Sequence, residues 1–406
     1  MSAHKRIYMD WAATAPLCGE SAAAMADYMQ GGMANIAVGA NANSLHSEGR
    51  AAFAAMEGAR RDIARCIGAR GDELVFTCGA TESDNMALVG MVEAICAERE
   101  RGAKKSEGGP VHIITTSIEH DAVLNTAHRL ESKGVELTCL SPDKNGFIQP
   151  EQLEQAIRPN TVLVSIMLAN NEIGAIQPVA QCADIAHKAG ALIHTDAVQA
   201  LGKIPIDCKA LGVDAASFSG HKICGPKGIG ALYLKKGTPI SPFILGGGQE
   251  SGLRSGTQNV AGMVGFAAAC KAICANESTL NAERARQTGL RDRLYQGLTA
   301  YDGVFQTVAC KPGSADYLPN IANICVRGLE SETLILRFDM LGFALSGGSA
   351  CASHSLEPSR VLKQIGIERD LALGSLRFSI GRYTESDDVE ACLAAFDKVL
   401  CWNDTK

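Results

Sequence analysis

Between about residues 50 and 235, short apolar and β-branched runs alternate with longer stretches in which apolar positions recur every three or four residues. The short runs predict strands at 73–77, 112–116, 136–140, 162–168, 191–195, 215–219 and 231–234. The longer stretches predict helices over 51–67, 82–101, 121–131, 152–157 and 180–189. This alternation predicts an α/β fold: a mostly parallel, seven-stranded sheet with helices on both faces. Ligands of such sheets sit in the loops at the carboxyl ends of the strands. Beyond residue 234 the spacing predicts one long helix from Val260 to about Gln296. It leads into a second lobe with strand-like runs at 321–326 and 375–380. The polar, glycine-rich stretch 102–110 predicts an exposed loop.

A chain of 406 residues exceeds one ordinary core, so two lobes are expected. Residues 15–265 are assigned to a large domain, and residues 1–14 with 266–406 to a smaller α+β domain. Hydrophobic residues make up 46% and charged residues 20%, the composition of a soluble globular protein. A net charge of −6 argues against nucleic acid or an anionic membrane as partner. The amino terminus runs into Ile7 without a signal-peptide core, and no apolar run is long enough to span a bilayer, so a cytoplasmic location is expected. The 15 cysteines include no pair separated by two residues. Most are expected to be small buried hydrophobes in a reducing compartment, with no metal site.

The chemistry gathers at predicted strand ends. Lys222, in Ser-Phe-Ser-Gly-His-Lys, follows an apolar run that disfavours its ammonium form, and Asp196 lies 26 residues upstream at another strand end. Together they provide a Schiff-base lysine and an acid for a pyridinium nitrogen, the protein's half of a pyridoxal-phosphate site. The same pair would also fit a buried structural ion pair. A strand, a Gly79-Ala80-Thr81 turn and a helix start suit an anion, and equally an ordinary helix cap. His120 suits ring stacking and proton relay, Asn171 and Gln199 offer hydrogen bonds, and Arg377 suits a carboxylate or a structural ion pair. Cys351 stands in a run of Gly, Ser and Ala that cannot build a core, so it is expected on an exposed loop, where His354 would favour its thiolate.

Taken in order, several motifs resemble the NifS/IscS-type cysteine desulfurases, which are fold-type I pyridoxal-phosphate enzymes. They are Thr-x-Gly-Ala-Thr-Glu-Ser-Asp-Asn, Glu-His-x-Ala-Val, Asn-Asn-Glu-Ile-Gly, Asp-Ala-x-Gln, Ser-Phe-Ser-Gly-His-Lys, Arg-Ser-Gly-Thr and Ser-Gly-x-Ser-Ala-Cys. The resemblance runs from Ile7 to about Leu400. It implies that Lys222 binds pyridoxal 5′-phosphate covalently, Asp196 holds the ring nitrogen, Gln199 contacts the ring hydroxyl and His120 stacks on the ring. Ala80, Thr81, Ser219 and His221 would hold the phosphate, with Thr257 reaching the phosphate of the other subunit of a homodimer. Asn171 and Arg377 would bind the carboxylate of L-cysteine, and Cys351 would take its sulfur as a persulfide. From there the sulfur would pass to an acceptor protein for iron–sulfur cluster assembly or tRNA thiolation. The chain ends at Lys406, short of the extension with which IscS-type members dock a scaffold, so the acceptor is not named. The alternatives are selenocysteine lyase, another pyridoxal-phosphate transferase on this fold, or a non-catalytic binding protein.

Overall fold

The computed structural model describes residues 6–34, 40–101, 109–274, 276–348 and 357–402. The strands in chain order are β1 (Ile7–Tyr8), β2 (Leu74–Thr77), β3 (His112–Thr116), β4 (Glu136–Leu140), β5 (Thr161–Ser165) and β6 (Leu192–Asp196). They continue as β7 (Ala215–Ser219), β8 (Gly230–Leu234), β9 (Val304–Gln306), β10 (Ile321–Val326), β11 (Phe343–Ala344) and β12 (Ser375–Ser379). The helices begin with α1 (Gly19–Ala34), α2 (Ser47–Cys66), α3 (Ala80–Glu100), α4 (Asp121–Glu131), α5 (Pro150–Ala156) and α6 (Val179–Lys188). After them come α7 (Val260–Cys274), α8 (Glu277–Leu298), α9 (Ser331–Met340), α10 (Arg360–Gln364), α11 (Arg369–Ala372) and α12 (Ser386–Leu400).

Seven strands form the large sheet in the order β2-β8-β7-β6-β5-β3-β4. The pairs from β4 through β7 are parallel, while β8 runs antiparallel to both β7 and β2. Helices cover both faces, which is why β2, β3, β5 and β7 are buried at every position. Residues of α3 pack from one side with Val75, Ile113 and Leu232. On the other side, α2 and α7 bury Ile63 and Phe266 with Phe218 and Ile193. A three-stranded antiparallel sheet, β12-β10-β9, forms a separate core with α8, α9 and α12 around Phe338, Phe378 and Phe396.

Two expectations need correction. The predicted helix from Val260 to about Gln296 is two helices, because Asn276 caps the second one by accepting the Thr279 N–H at 2.7 Å. The predicted strand 162–168 ends as β5 at Ser165. Beyond it Leu168 N still bonds Asp196 O at 2.8 Å, but Gln177 N returns to Leu168 O, so the chain turns back on itself.

The first residues of the chain join the two sheets. Strand β1 pairs in parallel with β11, and Asp10 bridges to Ser379 at the end of β12. A few residues later, Ala15 N bonds His221 O and Cys18 N bonds Cys224 O. No single helix among the described residues is long and apolar enough to cross a membrane.

Candidate active site

Strand β7 ends at Ser219 and runs into a single 3-10 turn, Gly220–Ile223, that carries His221 and Lys222. The turn closes at Cys224, which takes a left-handed conformation (φ 63°) usually left to glycine. Lys222 points back at the N-terminal segment. Its Nζ donates to Ala12 O at 2.7 Å and Ala13 O at 2.8 Å. Burial, then the charges of Arg377 and Lys203, lower its pKa to about 8, against the opposing pull of Asp196 and Asp10. An amine so placed loses its proton far more readily than a surface lysine.

Asp196 closes β6 on the neighbouring strand, nearly buried, with Oδ1 accepting the Val198 N–H at 2.9 Å. Burial raises its pKa, while His120 and Lys222 pull it down. Two further carboxyls that sequence patterns did not single out lie in the field of this acid. Asp84 is fully buried on the inner face of α3, and burial followed by the charge of Asp196 raises its pKa well above the usual range. Glu119 precedes His120 and is pushed up to about 8, mainly by burial. Like charges in one buried site cannot all ionise. The signal for Asp84 was its place among buried Ser83, Ala87 and Met91 on one helix face.

The anion-suited turn is braced from three sides. A Cβ at Gly230 would lie 2.7 Å from Gly79 Cα, so the β8 backbone presses directly against the turn. Cys78 N donates to Glu82 Oε2 at 2.9 Å, and Arg254 Nε holds Glu82 Oε1 at 2.7 Å. Helix α3 begins at Ala80, and its first N–H groups are free of intrahelical partners by helix geometry. Opposite, His120 caps α4 by accepting the Ala122 N–H on Nδ1 at 3.1 Å, which leaves the proton of a neutral ring on Nε2.

Arg377 lies in β12 with its side chain almost completely buried. Its Nη1 donates to Asn171 O at 2.8 Å, and its Nη2 donates to Asp10 Oδ1 at 2.9 Å. Asp10, which sequence reasoning missed, also accepts the Ser346 hydroxyl at 2.6 Å.

One cavity of about 530 Å³ gathers these groups, within the range of cofactor sites. Ala80, Thr81, His120, Asn171, Asp196, Gln199, Ser219, His221, Lys222 and Arg377 all line it. The lining fits pyridoxal phosphate. It offers an amine held only by carbonyls, a buried acid on the adjacent strand, and a braced helix start for the phosphate. Gln199 donates to Ala12 O at 3.0 Å, and its Oε1 is a buried acceptor with no partner, as is Arg377 Nε among donors. Such orphaned atoms are costly unless a ligand meets them.

Thr257 does not line the cavity; it is exposed, three residues beyond the Arg254 that braces the turn. Cys351 and His354 lie outside the described residues. Among the described cysteines, Cys18, Cys182, Cys208, Cys224, Cys270, Cys310, Cys325 and Cys392 are buried, and no group of three or more His, Cys, Asp or Glu side chains is arranged to hold a metal.

Comparisons with known proteins agree with this architecture. Residues 7–392 match the family model described as Aminotransferase class-V. The chain is 41% identical over 396 residues to "Cysteine desulfurase IscS" of Dictyoglomus turgidum, covering 98% of this chain and 95% of that protein. It is 42% identical over 388 residues to the protein of the same name from Klebsiella pneumoniae, covering 95% and 90% respectively. Among solved structures, one titled "NifS-like protein" superposes with a TM-score of 0.86 at 35% identity, covering 98% of this chain and all of that one. With its motifs in order, its fold matched over nearly its whole length and its lysine and acid on adjacent strand ends, the chain belongs to the class-V aminotransferase family, among the NifS/IscS-type cysteine desulfurases.

Proposed function

We infer that this protein is a pyridoxal-phosphate-dependent cysteine desulfurase, which converts L-cysteine to L-alanine and retains the sulfur as a persulfide on its own Cys351. The observation that carries the reading is Lys222, an amine held by two backbone carbonyls with its pKa lowered to about 8, in one cavity with Asp196 and the braced helix start. When bound, pyridoxal phosphate supplies the electron sink that loosens bonds at the α-carbon of an amino acid.

The chain's own residues do the rest. Asp196 would meet the ring nitrogen, Gln199 the ring hydroxyl, and His120 the ring face. The α3 start with Ser219 and His221 would hold the phosphate. Arg377 and Asn171 orient the substrate carboxylate. The Lys222 amine would move the α-proton, and the Nε2 of His120 is a second proton carrier. The Cys351 thiolate attacks the substrate sulfur, so that the carbon–sulfur bond breaks as the sulfur–sulfur bond forms. The electron pair released to carbon takes up protons, and the products are alanine and one persulfide. Substrate and thiol balance them without any added oxidant.

Thr257 serves the site of a second copy, which makes the enzyme a homodimer; its exposure and its absence from this chain's own cavity lining support that reading. Residues 15–265 form the cofactor-bearing unit, and 1–14 with 266–406 the unit carrying the nucleophile. Its setting is the cytoplasm, and a sulfur-acceptor protein receives the persulfide. The test is direct: alanine and protein-bound persulfide should appear in equal amounts from L-cysteine in a single turnover. Lys222→Ala should lower alanine formation by at least about a thousand-fold, the upper range for a lost general base. Near-normal alanine production by that variant would overturn the mechanism.

A further inference from the structure

The turn that carries Lys222 has a second cavity behind it, of about 110 Å³, lined by Trp11, Lys203, Cys224, Glu283 and Arg382 together with Lys222 itself. Lys203 enters from the loop after β6. Gly202, at φ 74°, turns the chain there, and any Cβ at that position would meet the Ile273 and Ile223 side chains within 3.2 Å. From that loop the Lys203 ammonium reaches the back of the Lys222 turn. Its Nζ donates to Lys222 O at 2.5 Å and to Leu201 O at 3.3 Å.

Charges around Lys203 leave it without an acid. Glu283 is held by Arg286 at 2.6 Å, and Arg382 is held by Glu20 at 2.7 Å. Among the described residues no carboxylate stands within ion-pair distance of Lys203, although buried cations are ordinarily paired. The nearest acids are the thiols of Cys224 and Cys274, both held in the protonated form by raised pKa values. Burial lowers the pKa of Lys203 to about 8, so it is mostly charged at neutral pH. Its charge is also felt on the other side of the turn, where it lowers the pKa of both Lys222 and His221. A half-buried cation with no acid partner, bonded to the peptide carbonyl of Lys222, is placed to act through its field or its geometry.

We propose that Lys203 is a positioning residue for the reaction: it fixes the Lys222 turn through the peptide carbonyl and sets a positive charge behind the Lys222 amine. The inference deepens the function proposed above, because it rests on Lys222 as the cofactor-binding lysine. Two consequences follow from Coulomb's law. Removing the charge should make Lys222 hold its proton more tightly, and a guanidinium in its place should not. One charge within about 10 Å at an effective dielectric near 20 corresponds to a shift of about one pH unit.

The experiment compares Lys203→Met, Lys203→Gln and Lys203→Arg. In the holoenzyme, the pH midpoint of the visible cofactor band should rise by about one unit in the Met and Gln variants and stay near wild type in the Arg variant. Glutamine keeps a donor for Lys222 O without charge, so it carries the comparison if the methionine variant folds poorly. The second measurement uses the full chain freed of cofactor. The rate of reductive methylation of Lys222 by formaldehyde, read by peptide mass across pH, follows its neutral fraction and should shift upward equally in Lys203→Gln. A shifted labelling profile in a protein that takes up no pyridoxal phosphate would support the coupling of Lys203 to Lys222 but sink the proposed function, and with it the role of Lys203 in the reaction. Wild-type midpoints in Lys203→Gln, or an arginine variant shifted as far as the methionine one, would overturn it.

Discussion

Arg377 Nη2 and Asp10 Oδ1 lie 2.9 Å apart, one on β12 and the other 367 residues earlier in the N-terminal segment. The guanidinium thus faces the main cavity already half-neutralised, with Nη1 given to Asn171 O and Nε unpaired. A substrate carboxylate would meet an arginine whose plane is fixed before it arrives, and fixed planes lose less entropy on binding.

Asp10→Asn should therefore affect both stability and binding. Removing one partner of a largely buried ion pair costs about 3 kcal/mol, discounted here because Asp10 is partly exposed. Urea unfolding should show a loss of about 2 kcal/mol. In steady-state kinetics the KM for L-cysteine should rise more than kcat falls. An unchanged KM would mean that Arg377 is a structural ion pair and nothing more.

Cys351→Ser separates this enzyme from other reactions on the same fold. A hydroxyl is a poor nucleophile toward sulfur, and its pKa cannot be brought near 7 as that of a thiol can. The variant should bind cofactor and L-cysteine, as seen in its absorbance, and then form no persulfide. Persulfide mapped by mass to a different cysteine, or sulfur release at the wild-type rate, would show that the wrong thiol was chosen. Survival of selenide release from selenocysteine would confine the need for Cys351 to sulfur chemistry.

Thr257 offers a test of shared sites. Mixing an inactive Lys222→Ala chain with a Thr257→Ala chain under conditions of subunit exchange should recover activity above the sum of the parents. In a hybrid dimer one site has both wild-type residues only if Thr257 acts across the boundary. No recovery despite proven exchange would place the whole site on one chain.

Glu119 sets a pH dependence. Its Oε1 accepts from Thr116 Oγ1 at 2.7 Å and Met167 N at 2.8 Å, its Oε2 has no partner, and burial pushes it up to about 8. Between its ordinary carboxylate range and pH 8 the folded chain holds a proton that the unfolded chain has released. The stability it contributes is full at low pH and is lost as pH rises through about 8. Glu119→Gln cannot ionise, so between pH 6 and 9 it should lose about 2 kcal/mol less unfolding free energy than wild type. Identical pH profiles would mean that Glu119 is ionised throughout.

Local signals carried most of the large sheet. Strands β3, β4 and β7 match their predicted limits, and β2, β6 and β8 start one residue from theirs, because each is a short apolar run between breakers. Lys222, Asp196, His120 and Arg377 were legible since strand ends and motifs are local too, and the cavity gathers all four. Three kinds of feature were not legible. The α7–α8 break turns on the single cap at Asn276, where a nearly all-apolar helix gives way to a mostly polar one with no glycine or proline between them. Asp10 acquires its role only from a strand 367 residues away, and Asp84 only from carboxyls on other elements. Lys203 was hidden because a lysine after glycine reads as surface, and only the folded turn brings it against Lys222 O.

The N-terminal segment gives the carbonyls that hold Lys222 and the acid that holds Arg377, and its strand β1 pairs with Phe343–Ala344. On the ribosome this has a direct result. The sheet bearing Lys222 can pair its strands once residue 234 has emerged and cover its second face once α7 has, but Asp10 cannot meet Arg377 until nearly the whole chain is out. On the proposed reading a nascent chain that captures its cofactor early would still lack the fixed arginine for a substrate carboxylate, and would be unable to consume cysteine.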